Sequence, residues 1–162
     1  MLTSLLSKHI PMMLSFILEN DMIGKQILDF GCGTGVLGIL SCKCGATQAI
    51  GIDIDKWSVE CANNNCRLNH IDNFNIMLGD STLLNNISSK FDIIFANINR
   101  NIILTDLRKY VQTLNTDGKI FLSGFYKEDL NIIKTQAEEL GLQIGEQKID
   151  NNWTAVMFRK LK

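Results

Sequence analysis

An apolar segment that ends in an acid and runs directly into alternating glycines, Ile27-Leu28-Asp29-Phe30-Gly31-Cys32-Gly33-Thr34-Gly35, constrains this chain more than any other stretch. Glycine carries no Cβ, so a run of this density lets the backbone turn sharply and lets a ligand approach it closely. Val36-Leu37-Gly38-Ile39-Leu40 then reads as the opening of a helix. A strand, a glycine turn and a helix in that order aim a helix N-terminus at a nucleotide-like cofactor. Gly33-x-Gly35-x-x-Gly38 also satisfies the dinucleotide pattern, a weak match by itself. Asp29 separates the two readings. A carboxylate at the strand's end repels a pyrophosphate, and it suits a cationic sulfonium ligand that also carries an ammonium group. Asp29-x-Gly31-x-Gly33-x-Gly35 therefore favours S-adenosylmethionine and methyl transfer over a nicotinamide and hydride transfer.

The 162 residues have room for one domain with a substantial core, so residues 1–162 read as a single cofactor-binding domain, with 1–20 as an N-terminal helical segment. A formal net charge of −1 provides no global basic field, so nucleic acid is not the expected partner. Arg100, Arg108 and Lys109 form a short basic patch that reads best as a solvated helix face. The five cysteines (Cys32, Cys42, Cys44, Cys61, Cys66) have no zinc-ligand spacing, and neither of the two histidines stands near them, so no metal is expected. Reduced thiols of a cytoplasmic protein are the expectation. The apolar run from Met12 to Leu18 is too short to span a membrane. It ends in Glu19-Asn20-Asp21 without a small-residue cleavage site, which argues against a signal peptide.

From Gln26 onward strand-like and helix-like segments alternate. Strands are expected at 26–30, 48–53, 74–78, 91–96 and 119–123, each rich in Ile, Phe or Leu. Helices are expected at 36–44, 56–68, 101–114 and 127–140, the last with Leu130, Ile133, Ala137 and Leu140 at helical spacing and Gly141 as a stop. The alternation implies an α/β fold, a Rossmann-like parallel sheet with helices on both faces. The end of the chain departs from it: 142–149 and 153–159 are strand-like and joined by Asp150-Asn151-Asn152, a hairpin. A mostly parallel seven-stranded sheet that closes on a C-terminal antiparallel hairpin is how Rossmann-like methyltransferases end, whereas dinucleotide dehydrogenases continue with parallel units.

Ligands of open α/β sheets bind beyond the carboxyl ends of the strands, so the residues that end each strand are the candidates. Asp53 ends the second, twenty residues past Gly33, where an acid can accept from ribose hydroxyls; Asp55 is the better helix cap. Asp80, in Leu78-Gly79-Asp80-Ser81, can accept from the exocyclic amine of adenine, although Asp-Ser is equally a turn and cap pair. Asn97 follows Phe91 to Ala96; its amide can contact the cofactor and can accept from an incoming amine, the bland alternative being a turn asparagine before a helix. Methyl transfer is an in-line displacement that mainly requires alignment of a neutral nucleophile, and no strong general base stands out. Methyltransferases of nucleic-acid bases or of glutamine often carry Asn/Asp-Pro-Pro and an aromatic at this site. Asn97-Ile98-Asn99-Arg100 has neither, which favours a flexible aliphatic amine as acceptor.

With these residues placed, the chain resembles the catalytic domain of the ribosomal protein L-eleven methyltransferase family from about Leu18 to Arg159. Besides the glycine motif and Gly51-Ile52-Asp53-Ile54-Asp55, the resemblance rests on Ala96-Asn97-Ile98, Leu122-Ser123-Gly124 and Trp153-Thr154-Ala155-Val156 in that order. It implies S-adenosylmethionine as cofactor, contacted by Gly31, Asp53 and Asn97, with Asn97 also beside the acceptor amine, and lysine or α-amine methylation of a large-subunit ribosomal protein. The residues themselves add Asp29, Gly33 and Asp80 to the expected cofactor site. Two departures stand out. The family's separate recruiting domain has no room in 162 residues, and the two threonines of its His-x-Thr-Thr element fall at about His9 and Ile10, neither of which is threonine. Methylation of a small molecule or RNA, and a non-catalytic module that needs a partner, are the alternatives.

Overall fold

A computed structural model describes residues 10–161 of the chain; the first nine residues of the expected N-terminal segment, His9 among them, lie outside the described residues. In chain order the elements are α1 (Ile10–Glu19), β1 (Gln26–Phe30), α2 (Val36–Lys43), β2 (Gln48–Asp53), α3 (Lys56–Leu68), β3 (Phe74–Leu78), a 3-10 turn (Ser81–Asn86), β4 (Phe91–Asn97), α4 (Arg100–Thr113), β5 (Leu114–Tyr126), a short 3-10 turn (Lys127–Asp129), α5 (Leu130–Glu139), β6 (Leu142–Asp150) and β7 (Trp153–Lys160). The seven strands form one sheet in the order β3-β2-β1-β4-β5-β7-β6. Strands β1 to β5 pair in parallel, and β7 runs antiparallel to both β5 and β6.

Alternation along each buried strand divides the core into two layers. Leu28 and Phe30 of β1, Ile94 and Ala96 of β4 and Leu122 of β5 pack with Ile103, Leu107 and Tyr110 of α4 and Ile133 of α5. Ile27, Phe95 and Phe121 face the other way, against Met13 and Phe16 of α1 and Leu37 of α2. The sheet is thus covered on both faces.

Boundaries differ from the sequence reading where side-chain pattern is a poor guide. β5 begins at Leu114 because Leu114 pairs with Phe91; a register slip then brings Lys119 opposite Ile93, with Asp117 at φ 63° in the irregular stretch of the strand between them. The helix expected from 127 divides into a 3-10 turn and α5. The 3-10 turn at Ser81–Asn86 has no periodic signal in the sequence beyond the Asp80-Ser81 cap pair that opens it. The hairpin turn is made by Asn151 (φ 46°) and Asn152 (φ 73°), two residue types that tolerate the left-handed region. β6 is an edge of the sheet. Its register with β7 slips between Ile144 and Gln147, and Lys148 reaches Glu19 of α1 at 2.7 Å while lying over the Phe16 ring.

Candidate active site

A cleft of about 660 Å³ opens at the carboxyl ends of β1 to β4, lined among others by Gly31, Gly33, Asp53, Asp80 and Asn97. Five of the six residues singled out from the sequence are therefore brought together on its walls. Asp29, the sixth, is not among the lining residues.

The wall on β1 and β2 is organised through backbone. Gly31 and Cys32 both donate to the Ile52 carbonyl, at 2.8 and 3.1 Å, which curls the loop over the end of β2. Gly31 has φ +70°, and a Cβ there would stand 2.4 Å from Ile98 Cγ2. Gly33 has φ +53°, and a Cβ added to it would meet nothing within 4 Å. Asp53 faces this loop: Gly33 N donates to its Oδ2 at 2.8 Å and Asp55 N to its Oδ1 at 2.9 Å. Asp55 in turn caps α3, accepting from Ser58 N at 2.9 Å, so the capping task falls to it and not to Asp53.

Asp29 works from beneath. It is 1% exposed, and its Oδ2 accepts from Gly38 N in the first turn of α2 at 3.0 Å. Burial pushes its carboxyl up to about 7; the Gly38 bond opposes this and the Asp53 charge adds to it. The sequence reading set Asp29 against a diphosphate, but its carboxyl is buried beneath the cleft, whereas the half-buried Asp53 and the exposed Asp80 line it.

The opposite wall is built by side chains. Asp80 caps the 3-10 turn, its Oδ1 accepting from Thr82 N at 2.8 Å and from Thr82 Oγ1 at 2.6 Å. These bonds hold its carboxyl below the usual carboxylate range. It therefore caps the turn and also lines the cleft. Asn99, not Asn97, caps α4 by accepting from Ile102 N at 3.1 Å. Asn97 ends β4 opposite Ser123 of β5, and no side-chain hydrogen bond engages its amide among the described residues. Beyond it a shallow pocket is lined by Asn99, Arg100, Gly124, Tyr126 and Trp153, where the Tyr126 and Trp153 rings stack at 4.1 Å. Arg100 pairs there with Asp129 at 2.9 Å.

Among the lining residues that sequence reasoning did not single out, three form one polar cluster. Ser81, Asp106 and Lys109 all line the α4 wall, and Lys109, read as part of a solvated face, has its ammonium 2.7 Å from Ser81 Oγ. The only sequence signal was an acid and a base three apart on a helix, a pattern that usually faces solvent. Among the described residues no group of three or more His, Cys, Asp or Glu is arranged to hold a metal, and no helix is long and apolar enough to cross a membrane.

The sheet order, the closing hairpin and a glycine-floored, acid-rimmed cleft at the strand ends define a Rossmann-like fold of the methyltransferase class. A crystal structure of ribosomal protein L11 methylase from Lactobacillus delbrueckii subsp. bulgaricus superposes with a TM-score of 0.84 at 28% identity, covering 93% of this chain and 78% of that one. Residues 11–161 match the family model described as ribosomal protein L11 methyltransferase (PrmA), and the chain belongs to that family. It is 46% identical over 145 residues to the ribosomal protein L11 methyltransferase of Phocaeicola vulgatus, covering 90% of this chain and 51% of that protein. The corresponding Porphyromonas gingivalis protein is 44% identical over 147 residues, covering 91% of this chain and 50% of the relative. The chain thus spans about half the length of the curated relatives it matches.

Proposed function

We propose that this chain is the methyl-transferring part of a protein N-methyltransferase, one that binds S-adenosylmethionine in the cleft and methylates an amino group, lysine or α-amine, of a ribosomal protein. The observation that carries the reading is the charge of the cleft above its glycine floor: Asp53, Asp80 and Asp106 against the single ammonium of Lys109. Such a field favours a ligand with cationic sulfonium and ammonium groups and opposes a diphosphate. The shape agrees. The space a Cβ of Gly33 would occupy is open, and the cleft volume lies within the roughly 300–1,000 Å³ common for small-ligand sites.

S-adenosylmethionine supplies a methyl group on a positively charged sulfur, open to in-line displacement. The chain's own task is then to bind, orient and desolvate. Gly31 and Gly33 admit the ligand to the backbone, and Asp29 holds that turn from below through Gly38. Each Asp53 oxygen accepts one backbone N–H and retains a second lone pair for a ribose hydroxyl. Asp80 Oδ2 is the acceptor for the exocyclic amine. The Asn97 amide oxygen accepts from the incoming amine and fixes the direction of its lone pair. That amine must arrive neutral, against a free lysine pKa of about 10.4, and removal from water lowers that value. The aromatic shelf of Tyr126 and Trp153 beside Asn97 provides a desolvating wall on the approach.

The family of the chain supports the ribosomal-protein substrate, and a cytoplasmic setting accords with it. Calorimetry with S-adenosylmethionine and NAD separately tests the cofactor, with binding of the first alone expected. Transfer of a radiolabelled methyl group to the isolated ribosomal protein tests the acceptor. The bare chain is expected to transfer slowly. A recruiting domain supplied on the same polypeptide is expected to accelerate it by raising the local concentration of the amine. Asn97→Ala should abolish the transfer. Cofactor binding with no transfer in either form would move the reading to another acceptor or to a non-catalytic module.

A further inference from the structure

The cluster on the α4 wall has a geometry that methyl transfer itself does not require. Asp106 is 7% exposed and Ser81 4%. Ser81 Oγ donates to Asp106 Oδ1 at 2.7 Å, while Lys109 Nζ donates to Ser81 Oγ at 2.7 Å and stands 3.3 Å from Asp106 Oδ1. The hydroxyl thus gives its one proton to the carboxylate and accepts one from the ammonium. A carboxylate withdrawn from water is costly unless it is paired and hydrogen-bonded, and here both conditions are met by residues whose contact fixes α4 against the turn after β3. Ser81 is the residue next to Asp80. Asp80 Oδ1 is held by Thr82, and Oδ2 has no hydrogen-bond partner among the described residues.

We propose that Lys109, Asp106 and Ser81 form a positioning network that clamps the Asp80 carboxylate as a selector for the 6-amino group of the cofactor's purine. The inference rests on the S-adenosylmethionine reading of the cleft. An ionised carboxylate accepts hydrogen bonds and cannot donate them. It is therefore matched to the N–H of a 6-amino purine and opposed to a 6-oxo group. Hypoxanthine, however, also presents an N–H at its N1 position, and a mobile carboxylate can shift to reach it. A clamped one cannot. Discrimination then depends on the stiffness of the turn, which comes from residues that touch no ligand atom on this reading: a rigid site excludes the wrong partner by leaving its polar groups unmatched.

The test is calorimetric and needs no turnover: affinities for S-adenosylhomocysteine and S-inosylhomocysteine, measured on the parent, Lys109→Met, Asp106→Asn and Asp80→Asn. The parent should prefer the adenosyl compound by about tenfold or more. Lys109→Met, at a half-exposed position where the aliphatic stem is retained, should narrow that preference about fivefold, mainly by sparing the inosyl compound. Asp106→Asn should act in the same direction. In an Asp80→Asn background, where the selector is already lost, adding Lys109→Met should change the preference less than about twofold. Equal weakening of both ligands by Lys109→Met, or no change in either, would reduce the cluster to a structural clamp and overturn the inference. A parent that binds both ligands equally overturns the selector alone. A parent that binds neither overturns the cofactor reading and the selector with it.

Discussion

On the glycine side of the cleft the clamps end on backbone N–H groups: Gly31 and Cys32 on the Ile52 carbonyl, Gly33 on Asp53, Gly38 on Asp29. On the α4 side Ser81 meets Asp106 and Lys109 through side-chain atoms alone, and Asp80 is held by the Thr82 hydroxyl as well as by its backbone N–H. A backbone clamp is indifferent to most side chains, but it fails when an added atom forces the chain away from its path. A side-chain clamp tolerates added bulk at its margins and fails when an atom is removed. The first wall is therefore broken by addition and the second by deletion.

Gly31→Val is the strongest addition. The new side chain begins 2.4 Å from Ile98 Cγ2, at a backbone conformation of φ +70° that a β-branched residue rarely adopts. S-adenosylmethionine binding should be lost in calorimetry while circular dichroism still reports a folded chain. Parent affinity in this variant would mean the loop faces elsewhere.

Asp29→Asn comes next and is read through pH. The buried carboxyl titrates near 7 in the folded chain against an ordinary 3.8. Between those values the native state holds a proton that the unfolded state has released, so stability falls as pH rises from about 4 to about 7 and levels off above that. The slope is at most about 1.4 kcal/mol per pH unit. The asparagine variant, whose amide oxygen can still accept from Gly38 N, should lack it. Urea denaturation of both proteins at pH 5 and pH 8 measures the difference, and parallel pH profiles would deny the buried carboxyl this role.

Asp53→Ala is a deletion on the glycine wall. It should weaken S-adenosylmethionine by about 1–3 kcal/mol, the scale of charge-assisted bonds lost to the ribose. An unchanged dissociation constant would take Asp53 out of the site. Ser81→Ala is the matching deletion on the other wall. It leaves Asp106 with Lys109 alone and should lower unfolding stability by about 1 kcal/mol, measured by thermal or urea denaturation. A neutral result would show that the two walls do not differ in the way their bonding implies.

The same difference explains what could be read in advance. Asp53 and Asn97 end β2 and β4, and Asp80 follows β3 by two residues; the apolar runs of these strands are visible in the sequence, and the rule that ligands bind at strand ends points to all three, which line the cleft. Gly31 and Gly33 follow from the turn chemistry that joins β1 to α2. Ser81 and Asp106 touch across 25 residues, and Ser81 and Lys109 across 28; nothing local to either segment encodes that contact. Asp29 was visible as an acid beside glycines, but its burial depends on β1 lying between β2 and β4, so its position beneath the loop was not legible. The parallel strands β1 to β4 and the closing hairpin lie within one residue of the bounds the sequence implies, whereas β5 runs from Leu114 to Tyr126 against an expected 119–123. The early start of β5 at Leu114 rests on one cross-strand pairing before a slip, which side-chain pattern does not reveal.

An open sheet leaves two rows of N–H and C=O groups available to any passing strand. In this chain the longer of the two edges is β6, nine residues against five in β3. Its ladder with β7 breaks step between Ile144 and Gln147, and the next residue, Lys148, carries a charge committed to Glu19. A strand that twists out of register and presents an ammonium in mid-course is a poor template for a second chain. The shorter edge offers too few groups to seed a long pairing. The hairpin that closes the sheet therefore also guards the chain against edge-to-edge polymerisation.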